Sequence, residues 1–147
     1  MSTRLSTGGR LIDRSRPMKF SFNGRQLSGY AGDTLASALL AKDQMLVGRS
    51  FKYHRPRGLV TAGSEEPNAL ISTSRGAGRT EPNTRATMQE VWNGLSTESQ
   101  NRWPSLGFDV GAINDRLHML FSAGFYYKTF MWPKSFWDKV YEPFIRA

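Results

Sequence analysis

Cysteine is absent from this sequence. That excludes disulfides, thiolate zinc sites, a cysteine nucleophile and any all-cysteine iron–sulfur cluster. Long apolar runs are missing too, and none approaches the roughly 18–20 residues needed to span a bilayer. Residues 1–17 are polar and arginine-rich, with no apolar stretch after the charges, so they do not read as a secretory signal. These absences lead to the expectation of a cytoplasmic protein with no membrane partner. Histidine is scarce. His54 and His118 stand far apart, and neither lies in an HxxxH or HExxH pattern. No GxSxG elbow and no P-loop occurs. Gly76-Ala77-Gly78 lacks the third glycine and the flanking strand and helix of a dinucleotide site. The acids form no catalytic pair: Glu65-Glu66 sit side by side before Pro67, a setting suited to solvent or a salt bridge.

Acidic residues are also sparse where basic ones are dense. Residues 1–60 hold 11 Lys and Arg against three acids, Asp13, Asp33 and Asp43, while residues 61–147 hold nine of each sign. The whole net charge of +8 therefore resides in the first 60 residues. An anionic partner suits that half: an acidic subunit surface, a cofactor phosphate or nucleic acid. A solvated basic face explains the charge equally well. Nucleic acid is the least favoured partner, because the basic excess carries no recognised nucleic-acid motif.

What is present is enough for a packed core, with hydrophobic residues at 39% and aromatics at 12%. Residues 1–17 read as a basic arm carrying Arg4, Arg10, Arg14 and Arg16. Met18-Lys19-Phe20-Ser21-Phe22 alternates apolar and polar, and Asn23-Gly24 supplies a type I′ turn, so a β-hairpin is expected with Met18, Phe20 and Phe22 facing a core. Asp33 is placed to cap a helix running to about Ala41, with Leu35, Ala38 and Leu39 on one face. Short strands are expected at 58–61 and 68–71. A longer one is expected at 84–92, with Ala86, Met88 and Trp92 on one face and Thr87, Gln89 and Val91 on the other. Beyond residue 100 the character changes. Asp109 is placed to cap a helix bearing Ile113, Leu117, Leu120 and Phe121, and a very aromatic stretch follows. Ser135 is placed to cap a last helix carrying Phe136, Val140 and Tyr141. Hairpin, helix, short strands and strand in that order suggest an α+β fold of the β-grasp type, a mixed sheet curled over one helix. The expected organisation is an arm at 1–17, a β-grasp domain at 18–100 and a helical, aromatic extension at 101–147.

The densest chemistry lies in Arg49-Ser50-Phe51-Lys52-Tyr53-His54-Arg55-Pro56-Arg57-Gly58. Cations there match phosphate or carboxylate, and aromatic faces can stack on planar rings. Arg49, Lys52, Tyr53, His54, Arg55 and Arg57 are thus candidates for an anion-binding loop. The competing explanation is a structural loop whose arginines bond backbone carbonyls and acids such as Glu65 and Glu66. No catalytic and no metal-ligating residue emerges.

Several long blocks, in order, resemble the start of the alpha subunit of heterotetrameric sarcosine oxidases. They are Gly9-Arg10-Leu11-Ile12-Asp13-Arg14-Ser15-Arg16-Pro17, Gly29-Tyr30-Ala31-Gly32-Asp33-Thr34-Leu35, Val47-Gly48-Arg49-Ser50-Phe51-Lys52-Tyr53-His54-Arg55-Pro56-Arg57-Gly58, Glu66-Pro67-Asn68-Ala69-Leu70, Asn101-Arg102-Trp103-Pro104-Ser105-Leu106 and Gly124-Phe125-Tyr126-Tyr127-Lys128-Thr129-Phe130-Met131-Trp132-Pro133. The resemblance implies a domain similar to plant-type [2Fe–2S] ferredoxins. In cluster-bearing relatives cysteines follow the helix; the matching loop here, residues 47–63, has none. It further implies a complex that oxidatively demethylates sarcosine with FAD, FMN, NAD and tetrahydrofolate, none of them bound by this chain. The implied partners are the remainder of the alpha subunit and the beta, gamma and delta subunits. Dinucleotide- and folate-binding domains would follow Ala147, so the chain reads as a truncated or split subunit.

Overall fold

The computed structural model describes residues 2–119. Strand β1 (Asp13–Phe22) and strand β2 (Arg25–Ala31) form the expected hairpin. Asn23 and Gly24 take φ of 52° and 77°, the left-handed backbone that a type I′ turn requires at both central positions. Phe20 and Phe22 are buried, and Met18 packs against them half-buried.

Helix α1 (Leu35–Leu40) follows. Its N-cap is Thr34, whose hydroxyl accepts from the Ser37 amide at 3.2 Å. The cap is therefore one residue later than expected, because the Asp33 carboxylate turns inward. It accepts from the Tyr30 amide at 2.8 Å and the Ser37 hydroxyl at 2.6 Å. Arg4 reaches Asp33 with both terminal nitrogens, at 3.0 and 2.7 Å, and Thr3 hydrogen-bonds the Leu40 and Ala41 carbonyls. The start of the chain is thus stitched to the helix.

Strands β3 (Gly48–Arg49) and β4 (Pro56–Arg57) make a separate two-stranded ladder. Strands β5 (Leu70–Ser74), β6 (Thr80–Arg85) and β7 (Leu95–Ser99) complete a five-stranded sheet ordered β2-β1-β7-β5-β6. The β1–β7 pairing is parallel and the others are antiparallel. A mixed sheet with few helices agrees with the ferredoxin-like architecture expected. Leu35 and Leu39 of α1 share a core with Phe20, Phe22, Val47, Ile71, Val91 and Leu95. Burying such side chains contributes about 1.5–3 kcal/mol each.

Three strand expectations need correction. Residues 58–61 form no strand, because the amides of Val60 and Thr61 are taken by the Glu66 carboxylate. The strand expected at 68–71 begins at Leu70 and continues to Ser74. The strand expected at 84–92 stops at Arg85. There the Met88 and Gln89 amides both donate to the Arg85 carbonyl, closing a turn. Gln89 then accepts from the Leu35 amide, and Val91 donates to the Asp33 carbonyl, so this segment braces the helix start. As a result Met88 is exposed, while Ala86, Thr87, Gln89 and Val91 are buried.

Asp109 does cap a helical turn: its carboxylate accepts from the Gly111 amide at the start of a 3-10 turn, Val110–Ala112, which runs into helix α2 (Ile113–Arg116). Ile113 and Leu117 are exposed. The rest of the expected aromatic extension, residues 120–147 with Leu120, Phe121 and Phe136, lies outside the described residues.

Candidate functional site

The loop singled out by its charge leaves the β3–β4 ladder and returns within a few residues. The Ser50 and His54 backbones close it: the His54 amide donates to the Ser50 carbonyl, and the Ser50 amide to the Arg55 carbonyl, both at 3.0 Å. His54 adopts φ of 53° to make the reversal. The six candidate residues then meet different partners.

Arg49 and His54 turn inward. Arg49 donates from Nε and Nη2 to the Leu106 carbonyl at 3.1 and 2.9 Å, and from Nη1 to the His54 carbonyl at 2.9 Å. Its Nε also lies 3.3 Å from Asp109 Oδ2. His54 Nδ1 sits 2.8 Å from the same oxygen. The other Asp109 oxygen accepts from the Trp103 and Gly111 amides at 3.1 and 3.0 Å. Burial alone would raise the Asp109 carboxyl, but the His54 bond and the two amides outweigh it and hold it below the ordinary carboxylate value. An ionised carboxylate only accepts, so Nδ1 carries the proton in this bond. Gly111 permits the close approach, since a Cβ there would run into the His54 ring.

Lys52, Tyr53 and Arg55 cluster with one another. The Lys52 ammonium and the Arg55 guanidinium lie 4.9 and 4.8 Å from the Tyr53 ring centroid. Arg55 Nε also meets Asp115 at 2.6 Å, where both side chains are about half exposed. Arg57 lines a groove between this loop and the sheet, and its guanidinium pairs with no described residue.

A second carboxylate organises the next stretch. Glu66 is fully buried, whereas its position beside Glu65 and Pro67 suggested solvent or a salt bridge. One oxygen accepts from the Val60 and Thr61 amides at 2.9 and 2.7 Å, the other from the Asn68 and Ala69 amides at 2.8 and 3.2 Å. Burial pushes this carboxyl up, yet the four amides together bring it down to about 2. No sequence pattern distinguishes such an acid from a solvated one.

Ferredoxin-like folds imply a [2Fe–2S] cluster in the loop after the helix, and the donor set here does not fit one. Cluster ligation takes thiolates, with histidine replacing two of them in one variant. The chain has no cysteine, and the loop's one histidine is bonded to Asp109. No group of three or more potential metal ligands occurs among the described residues. Hydrogen-bonded carboxylates organise the loops instead.

Sheet order, helix placement and the loop that follows define the class. The chain belongs to the family described as 2Fe-2S iron-sulfur cluster binding domain, which matches residues 15–102. Among curated proteins it is 64% identical over 145 residues to sarcosine oxidase subunit alpha of Rhizobium meliloti (strain 1021), covering 99% of this chain and 14% of that one. It is 48% identical over 61 residues to sarcosine oxidase subunit alpha of Corynebacterium sp. (strain P-1), covering 42% of this chain and 6% of that one. A solved structure, L-proline dehydrogenase from P. horikoshii, aligns with a TM-score of 0.49 at 25% identity, over 62% of this chain and 17% of that one.

Proposed function

We propose that this chain is the amino-terminal portion of a sarcosine oxidase alpha subunit and that it serves there as a structural and subunit-docking domain. The observation that carries the reading is the 64% identity along 99% of the chain. On this reading the polypeptide takes part in oxidative demethylation of sarcosine within a cytoplasmic complex of alpha, beta, gamma and delta subunits. This portion contributes no complete active site and no iron–sulfur cluster. FAD, FMN, NAD and tetrahydrofolate chemistry belongs to the rest of the complex.

Docking is assigned to the exposed basic surface near the start of the chain. Arg10 and Arg16 are exposed and pair with no described carboxylate, unlike Arg4, which is consumed by Asp33. Charge reversal at both, Arg10→Glu with Arg16→Glu, leaves the Arg4–Asp33 tie intact. The double variant is expected to lose beta-subunit co-purification at ~150 mM salt, where exposed charges still act over about 8 Å. Undiminished assembly would remove the docking role of this surface. Sarcosine oxidation by the isolated chain would overturn the noncatalytic reading.

A second reading is favoured by Arg57, a guanidinium beside a groove that pairs with no described residue. On it, the basic loop contributes to holding a flavin or nucleotide phosphate.

A further inference from the structure

A groove of about 680 Å³ lies between the 49–57 loop and the β5–β6 side of the sheet. Ligand pockets commonly fall within roughly 300–1,000 Å³. Its walls include Arg49 and Arg57 but no Asp or Glu. Arg49 is spent on Asp109 and on two carbonyls, so Arg57 supplies the available positive charge. Around it stand the side-chain amides of Asn68 and Asn83, neither of which bonds a described residue. Gln100 lines the groove with its amide engaged to Ser72 at 3.2 Å. Phe51 lies on the same wall and is 74% exposed, the reverse of what a core phenylalanine does.

The sheet is shaped to make this groove. Ile71 pairs with Thr84 and Thr73 with Glu81, so Ser72 alone faces both Pro82 and Asn83. That is a β-bulge, one extra residue in β6, and bulges re-aim side chains beside binding sites. Asn83 takes φ of 57° there, and asparagine is among the few non-glycine residues that adopt this backbone readily.

We infer that this groove binds a phosphomonoester joined to a planar ring, a nucleotide-like ligand. Arg57 would take the phosphate, Asn68 and Asn83 the polar edges, and Phe51 the ring face. A guanidinium suits phosphate by its fork of donors, an aromatic face stacks on any planar base or flavin, and amides read polar edges. The site deepens the second reading above and relies on it. It differs in membership from the set of six: of those only Arg57 would meet the ligand, with Phe51 from the same loop and Asn68 and Asn83 from other segments.

The test uses the complete polypeptide in its assembled complex. Hydrogen exchange is followed in peptides covering 49–57, 68–74 and 80–85 as AMP, FMN, riboflavin or inorganic phosphate is added. AMP or FMN is expected to give saturable protection of all three peptides. Arg57→Gln and Phe51→Ala are each expected to weaken the response at least about tenfold, the size of one lost charge-assisted bond or ring stack. The AMP and FMN arms separate a nucleotide from a flavin source. Comparing the variants with the parent removes signals from other nucleotide sites in the complex. Absence of protection, an Arg57→Gln response equal to the parent, or inorganic phosphate acting as well as either nucleotide would each overturn the inference. Because neither substitution touches the Arg10–Arg16 surface, retained beta-subunit co-purification would show that only the ligand site had failed.

Discussion

Phe20, Phe22, Leu35, Leu39 and Ile71 join sheet to helix by apolar burial, whereas the loops at 47–69 and 101–116 converge on two buried carboxylates, Glu66 and Asp109. The two regions obey different rules. Apolar packing is non-directional and does not depend on pH. A buried carboxylate must be met by donors with correct geometry, and it fails if it is protonated or if one donor is withdrawn. In a cluster-bearing relative, metal–thiolate bonds would organise the corresponding loop. Here hydrogen bonds to ionised oxygens do so, and they fix not only the loop but also its contact with the segment after β7. A ferredoxin-like scaffold can thus gather its loop backbone on charged hubs that need no thiolate.

The sharpest way to probe the comparison is to damage each region once. Phe20→Ala is expected to cost about 3–5 kcal/mol, a loss seen in urea denaturation and nearly constant between pH 5 and 8. Glu66→Gln is expected to cost about 3 kcal/mol, because the amide nitrogen of glutamine would confront two backbone donors that now have an acceptor. The pH signature separates the two. The Glu66 carboxyl has its value lowered from 4.5 to about 2, so its contribution is complete above pH 4.5 and is lost as pH falls through about 2. Glu66→Gln should flatten that acid limb, and exchange of the Val60, Thr61, Asn68 and Ala69 amides should accelerate. An acid limb unchanged by the substitution would mean that Glu66 does not organise the loop.

The same division explains what was legible in the sequence. The hairpin and helix could be read because Met18, Phe20 and Phe22 alternate, Asn23-Gly24 names its own turn, and Leu35, Ala38 and Leu39 recur at helical spacing. Strand β7 escaped notice because its buried positions are Leu95, Thr97 and Ser99, so hydroxyls face inward and little apolar alternation shows. The 84–92 segment misled for the opposite reason: it alternates plausibly, yet its amides serve the turn at Arg85 and the start of the helix. At the candidate loop, composition revealed a dense cation cluster but not its orientation. Whether Arg49 meets a ligand or Asp109 depends on a residue 60 positions away in sequence. Glu66 shows the same limit, since four of its donors are backbone amides and carry no residue identity.

Smaller effects refine the picture. Arg4→Ala should cost about 3 kcal/mol at most, because it leaves the buried Asp33 with neutral donors only, the Tyr30 amide and the Ser37 hydroxyl. A loss under about 0.5 kcal/mol would show that the start of the chain is not part of the folded unit. His54→Ala removes one of the bonds to Asp109 and should cost about 2 kcal/mol. Its distinguishing readout is faster exchange at the Trp103 and Gly111 amides, two of the remaining partners of that carboxylate. If both amides stay protected, Arg49 alone holds the hub.

Arg55→Ala is expected to do least. Its ion pair with Asp115, at 2.6 Å, is the shortest among the described residues, but both side chains are about half exposed. Water screens such a pair, and fixing two flexible side chains costs entropy, so a contribution under about 0.5 kcal/mol is expected, vanishing in high salt. Set beside Asp109, this isolates the variable that matters. Both acids meet a basic side chain from the same loop, Asp115 at 2.6 Å and Asp109 at 2.8 Å, but only Asp109 is removed from water and bonded to backbone amides. Equal destabilisation by Arg55→Ala and His54→Ala would mean that burial does not separate these pairs, and that the loop is held by charge alone.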